Sequence, residues 1–244
     1  MGELKHIVLF SGGAASSCIA CLVAQEHKDT ILLHTPTYSE HPDADRFRKQ
    51  VANYIGLPIT IQADGRDIWQ LIDDENCLPS NWIPFCTRIL KQEQTKKFIQ
   101  NLNDDFILYY GYGVDEWRRV QKQSVRFEQI GWKAQYPLFE RKISDLQVKD
   151  TIKNVWRICL PEPYKYLEHN NCIPCWKGGK GHFQRVAKYY PEYFLKAIEK
   201  EKQIGHTVFK DCTLQDIWDE VQAKKNQVDW FEELEDTVPC MCAI

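Results

Sequence analysis

The sequence predicts an α/β protein, a parallel sheet with helices on both faces, followed by a helical C-terminal extension. Short apolar runs alternate with helix-length stretches from Lys5 to Tyr112, and connections of that length join parallel strands through right-handed crossovers. The first apolar run, Lys5-His6-Ile7-Val8-Leu9-Phe10, breaks into Ser11-Gly12-Gly13-Ala14-Ala15-Ser16-Ser17 and then directly into a helical pattern. The 244 residues, 43% of them apolar, suffice to bury a full core.

Each element has a local reason. Strand 5–10 is an apolar run closed by the glycine turn, and helix 18–27 follows it. Strand 30–35 leads to helix 43–54, whose first turn carries Asp43 and Asp45 where a helix N-terminus favours negative charge. Strand 58–63, helices 66–74 and 87–102 and strand 105–112 complete the alternation. The second half changes character. Ser144-Asp145-Leu146-Gln147 is a capping box that opens helix 145–156, and helix 181–188 and later segments are joined by Gly- and Pro-marked loops. We expect an α/β domain over 1–140 and a helical part over 141–244, packed as one continuous globule.

Composition narrows the function classes. A net charge of -3 offers no general attraction to nucleic acid or acidic membranes. No run approaches the ~18 apolar residues of a membrane span, and no charged-then-apolar leader is evident, so a cytoplasmic protein without a membrane partner is expected. Ten cysteines in that setting point to thiols, metal ligands or redox chemistry rather than a disulfide framework.

The turn after the first strand places backbone N–H groups and the positive end of a helix around one concavity, which suits a phosphate. It fits neither G-x-x-x-x-G-K-[ST] nor G-x-G-x-x-G, and a turn that merely packs helix on strand would use the same residues. Ser11-Gly12-Gly13-Ala14-Ala15-Ser16 is similar to the SGGxDS loop of the PP-loop ATP pyrophosphatases. Ala15 stands where that loop has its aspartate. One carboxylate used near nucleotide and Mg2+ is thus missing, a variation that resembles the phosphoadenosine phosphosulfate reductase branch and its phage-type members. The resemblance implies ATP or another adenine nucleotide on Ser11, Gly12, Gly13, Ser16 and Ser17, with His34 and Thr35 at the end of the second strand beside it.

Two more segments resemble that branch. Tyr38-Ser39-Glu40-His41-Pro42-Asp43-Ala44-Asp45-Arg46-Phe47 looks like its D-x-x-R-F segment, although an acidic first turn of a solvated helix reads the same way. Gly111-Tyr112-Gly113-Val114-Asp115-Glu116-Trp117-Arg118-Arg119 resembles G-x-x-x-x-E-x-x-R. There Gly111 and Gly113 would admit the nucleotide, and Glu116, Arg118 and Arg119 would act at its phosphate or sulfate, for which a planar guanidinium is suited.

Cysteines form a second constellation. Cys172-Ile173-Pro174-Cys175 is a C-x-x-C, and Cys86 sits in Cys86-Thr87-Arg88-Ile89-Leu90-Lys91. Such thiols can share a metal. This pattern is similar to cluster-bearing relatives, the DNA phosphorothioation sulfurtransferases and adenylylsulfate reductases, and implies a [4Fe-4S] cluster, with Cys159 as the nearest fourth ligand and His169 or His182 behind it. Zn2+ and free redox thiols remain open at this stage. Cys240 and Cys242 near the C-terminus invite comparison with the catalytic cysteine of the reductases, without its glycine and histidine; Cys18 and Cys21 lie in an apolar helix and read as core.

A basic, aromatic stretch from Lys165 to Lys210 could hold a nucleic-acid base or backbone, but Phe183, Val186, Tyr190 and Phe194 recur at helical spacing, as a core face would. The resemblance implies an enzyme that adenylates a substrate for sulfur transfer, with a sulfur or electron donor protein as a possible partner. A sulfonucleotide reductase and a non-catalytic nucleotide- or nucleic-acid-binding module are the alternatives.

Overall fold

The structure, a computed structural model, describes residues 3–225. They form β1 (Lys5–Leu9), α1 (Ala14–Glu26), β2 (Thr30–His34), α2 (Asp43–Ile55), β3 (Ile59–Ile61), α3 (Ile68–Glu75), α4 (Phe85–Thr87), a π-helical turn (Arg88–Gln92) and α5 (Glu93–Gln100). Then come β4 (Phe106–Tyr109), a 3-10 turn (Val114–Glu116), α6 (Trp117–Gln129), β5 (Ala134–Gln135), α7 (Pro137–Glu140), α8 (Asp145–Asp150) with a π-helical turn (Thr151–Val155), a 3-10 turn (Glu162–Lys165), α9 (Lys180–Tyr189), α10 (Pro191–Ile204) and α11 (Leu214–Lys225). None of the described helices is long and apolar enough to cross a membrane.

Two compact units emerge. Among the described residues, the first comprises 3–36, 42–64 and 93–162; the second comprises 37–41, 65–92 and 163–225. The first unit holds a five-stranded sheet of order β3-β2-β1-β4-β5, every pairing parallel. The predicted α/β class is therefore what the chain adopts. β1 is central, and Ile7, Val8 and Phe10 are fully buried, as expected of a strand covered on both faces. Its register pairs Leu9 with Leu33 of β2 and Val8 with Tyr109 of β4.

Helix α1 starts at Ala14, four residues before the apolar periodicity suggested, because Gly13 is an extended N-cap and the Ser16 and Ser17 hydroxyls donate back to its carbonyl (2.9 and 3.0 Å). β5, α6 and α7 had no counterpart among the predicted elements. β5 has only two residues, too few for a period-2 signal. The capping box of Ser144 and Gln147 does open α8, as read from sequence.

The second unit is helical around one core that includes Trp69, Leu71, Trp176, Phe183, Val186, Phe194 and Leu214. Phe183, Val186, Tyr190 and Phe194 are all buried there, so the periodic face of the basic stretch is a core face. Cys18 and Cys21 are buried in the first unit, and burial pushes the Cys18 thiol up to about 11, which keeps it protonated and inert.

His6 on β1 is buried, is hydrogen-bonded through Nδ1 to the Tyr109 hydroxyl (2.7 Å) and stacks on His27 with 3.6 Å between ring centroids. Burial first, and the neighbouring His27 second, hold its pKa below 6.5 against the pull of Asp29. The folded protein thus binds this proton less readily than the unfolded chain does. Stability from this group is complete above pH 6.5 and declines as pH falls through that value toward the lower folded pKa. Urea midpoints at pH 7.5 and 5.5 should differ more in the wild type than in His6→Gln; equal differences would remove His6 as the cause.

Candidate nucleotide site

In the order β3-β2-β1-β4-β5 the chain winds one way from β1 to β2 and β3, and the other way through β4 and β5. The carboxyl ends of β1 and β4 therefore flank the topological switch point, where open α/β sheets hold their ligands. Ser11-Gly12-Gly13 follows β1, and Tyr110-Gly111-Tyr112-Gly113 follows β4.

These two segments touch. A Cβ on Gly111 would lie 2.9 Å from the Ala15 carbonyl carbon and 2.9 Å from the Ser16 nitrogen. Only a glycine lets the end of β4 come so close to the first turn of α1. Within the loop, the Ser11 hydroxyl donates to Ser16 Oγ (3.1 Å). Gly12 adopts φ +85°, in the left-handed region that favours glycine. The positive end of α1 is thus held at the crevice by a small, internally bonded turn.

Arg48 of α2 lies against this loop, and sequence reasoning passed over it. Its guanidinium is ion-paired with Asp45, and Nη1 donates to the Ser11 carbonyl (3.2 Å). The neighbouring pair does something else. Arg46 binds Asp43 through Nε (2.6 Å) and Nη2 (2.8 Å), and donates to the carbonyls of Cys159 and Leu160. Asp43 also accepts from the Glu162 amide (2.8 Å). The D-x-x-R segment therefore clamps residues 159–162 onto α2, while the overlapping Asp45–Arg48 pair serves the loop. The repeated Asp-x-x-Arg spacing was the signal for both.

His34 closes β2, is buried, and its Nδ1 is hydrogen-bonded with the Phe10 carbonyl (3.0 Å); Thr35 is buried next to it. Gly113 and Glu116 form a capping arrangement in which the Gly113 amide donates to Glu116 Oε2 (2.8 Å), and Glu116 also pairs with Arg119. Arg119 lies over the Tyr112 ring (5.2 Å to the centroid), and Arg118 lies over the half-exposed Trp117 (5.2 Å). Tyr110, Tyr112 and Tyr136 pack as one buried cluster. Burial holds the Tyr112 phenol well above its usual pKa although Arg119 opposes it, so the cluster is neutral at physiological pH.

The second unit carries Cys86, Cys172 and Cys175. Cys172 forms an isolated antiparallel bridge with Glu40, and its Sγ is 3.0 Å from Thr37 Oγ1. The Cys175 amide donates to His182 Nε2 (3.0 Å), and the buried Lys177 ammonium donates to Thr87 Oγ1 (3.1 Å) beside Cys86. Thiolates are a soft donor set suited to iron or zinc. Among the described residues, however, no group of three or more His, Cys, Asp or Glu side chains is arranged to hold a metal ion. Cys159 lies in the first unit and is exposed. Cys240 and Cys242 lie outside the described residues.

The sequence agrees with this geometry. Residues 5–145, more than half of the chain, match the family described as the phosphoadenosine phosphosulfate reductase domain. The chain belongs to that family. The matched region takes in the loop, α2, the Gly111 segment and the whole sheet. The chain is also similar to an uncharacterized protein of Methanocaldococcus jannaschii, 24% identical over 217 residues that cover 86% of this chain and 50% of that protein. It thus spans about half the length of the curated relative it matches.

Proposed function

We propose that the protein binds an adenine nucleotide across the switch point between β1 and β4 and acts on a sulfonucleotide, with a thiol attacking its sulfur. The observation that carries this reading is the contact of Gly111 with the first turn of α1, which brings the two family segments together at the switch point. The anion would meet the positive end of α1 and the loop backbone, with the arginine-bearing Gly113–Arg119 segment following the end of β4. In the chemical step an attacking thiolate forms a bond to the sulfonyl sulfur while the sulfur–oxygen bond to the phosphate breaks. The nucleotide leaves with that electron pair, and a thiol donor then reduces the resulting thiosulfonate to release sulfite.

Two features favour this over adenylation with ATP and Mg2+. Ala15 removes the loop carboxylate, and Asp43, Asp45 and Glu116 are each paired with an arginine. Adenylation for sulfur transfer would use the same loop but break the α–β phosphate bond.

Calorimetry with adenosine 3'-phosphate 5'-phosphosulfate, AMP and ATP, followed by product analysis with a dithiol, tests the reading. Sulfonucleotide binding with sulfite release is expected. Pyrophosphate from ATP would replace it with adenylation, binding without either product would leave a binding module, and no binding to any of the three would overturn the nucleotide site. A [4Fe-4S] cluster or Zn2+ on Cys86, Cys172 and Cys175 is supported by residue type and spacing alone. Iron, zinc and acid-labile sulfide in anaerobically purified protein decide it, with Cys86→Ser, Cys172→Ser and Cys175→Ser expected to lower metal content alike.

A further inference from the structure

We propose that Arg48 is the positioning residue of the Ser-Gly-Gly loop, fixing its backbone in the shape that receives the anion and placing a buried positive charge beside it. The proposal rests on the reading that this loop takes a nucleotide. It goes beyond that reading in naming a residue of α2, outside the loop and thirty-seven positions from Ser11, as the determinant of affinity.

Arg48 and Gly12 act as one device. A Cβ on Gly12 would meet Arg48 Cγ at 2.5 Å, Cδ at 3.0 Å and Nη1 at 3.1 Å, so the arginine stem fills the space that a side chain at position 12 would need. Nη1 then holds the Ser11 carbonyl (3.2 Å). In a trans peptide the carbonyl and the following N–H point in opposite directions. Fastening the Ser11 oxygen to Arg48 therefore turns a repulsive dipole away from the crevice and sets the orientation of the Ser11–Gly12 peptide plane.

Nη2 meanwhile pairs with Asp45, one helical turn back on α2. Two donors of one rigid fork thus serve two acceptors at once, which a lysine ammonium on a flexible stem does less well. Asp45 is largely exposed whereas the Arg48 side chain is buried, so the pair is asymmetric. Water screens the carboxylate more than the guanidinium, and a net positive potential remains at the loop. Arg46, two residues earlier on the same helix, is bound to Asp43 and to the carbonyls of Cys159 and Leu160, and supplies a matched control.

The test uses Arg48→Gln, Arg48→Lys, Asp45→Asn and Arg46→Met in the full chain, with two readouts. In calorimetry with adenosine 3'-phosphate 5'-phosphosulfate and ATP, Arg48→Gln should weaken binding at least tenfold, Arg48→Lys should recover part of the loss, and Arg46→Met should stay within twofold of wild type. In hydrogen exchange without nucleotide, Arg48→Gln should speed exchange across residues 11–17 while the β1 and β2 amides keep their protection. Should Arg48→Gln fail to fold, Arg48→Lys and Asp45→Asn carry the same comparison with smaller expected losses. Affinity within twofold of wild type for the Arg48 variants, or an Arg46→Met loss as large as theirs, overturns the proposal. If the wild type binds none of the probes, the nucleotide reading fails, and unchanged exchange over 11–17 independently refutes Arg48 as the brace.

Discussion

Gly111→Ala should abolish measurable nucleotide binding and destabilise the protein, whereas Gly113→Ala, two residues on, should do neither. The added methyl at 111 would sit 2.9 Å from the carbonyl carbon of Ala15 and from the nitrogen of Ser16, both backbone atoms of the first turn of α1. Backbone cannot rotate aside as the end of a flexible side chain can, so either the loop or the end of β4 must move by a few tenths of an ångström. Overpacking of this kind costs about 1–3 kcal/mol. Lower unfolded-state entropy returns only about 0.4–1 kcal/mol on a Gly-to-Ala change, and the clash wins. At Gly113 the nearest atom to a new Cβ would be a Glu116 carboxylate oxygen at 3.8 Å, an ordinary contact. Urea midpoints and calorimetry on the two variants measure both effects. A Gly111→Ala protein with wild-type midpoint and wild-type affinity would mean that the close approach of β4 to α1 does not shape the site.

How much of this was legible in the sequence depended on the range of the interaction. The loop was readable because its determinants are local: a strand, two glycines, hydroxyl residues and a helix in succession. The α/β class followed from the same kind of alternation. Gly111 was found by resemblance, but its reason, contact with Ala15 and Ser16, joins residues almost a hundred positions apart and has no local trace. Arg48 lay between these cases. Its spacing from Asp45 is visible, yet the identical spacing of Asp43 and Arg46 leads to a different job, because only the fold decides which carbonyl each guanidinium meets. Glu116 shows the reverse. Gly113-Val114-Asp115-Glu116 has the form of a helix-start cap, and the structure uses it as one, with Arg119 attached. For the cysteines the sequence supplied donors and spacing, but ligand geometry depends on side-chain directions that spacing does not encode. β5 was illegible because a two-residue strand is defined by its neighbour β4 rather than by its own pattern.

The largest stability loss away from the nucleotide site is expected for Glu201→Ala. Glu201 sits on α10, is buried, and its two carboxylate oxygens accept from different backbone amides: Oε1 from Val208 (2.8 Å) and Oε2 from Leu214 (2.7 Å), the first residue of α11. One side chain thus closes the turn after α10 and satisfies an amide at the start of α11, where no intrahelical acceptor exists. Thr213 and Asp216 cap the same helix by a separate reciprocal pair, Thr213 N to Asp216 Oδ2 (2.8 Å) and Asp216 N to Thr213 Oγ1 (3.0 Å), and leave the Leu214 amide to Glu201. Removing the carboxylate leaves two donors without an acceptor, at about 1–3 kcal/mol each where water cannot replace it. Part of the Val208 loss is recovered because that turn is only partly buried, which puts the expected cost at about 3 kcal/mol in total. For a chain of this size that corresponds to a fall in Tm of roughly 6–12 °C. Glu201→Gln keeps one acceptor and sets an amide NH2 against the other donor, so it should lose less than Glu201→Ala. Glu220→Ala, which breaks the exposed pairs with Lys180 and Lys224 and a long hydrogen bond from Gln184 Nε2 (3.3 Å), should change stability by less than about 1 kcal/mol. Thermal unfolding of the three variants orders them, and a Glu201→Ala protein as stable as Glu220→Ala would show that water reaches these amides and that the carboxylate is not what holds the start of α11.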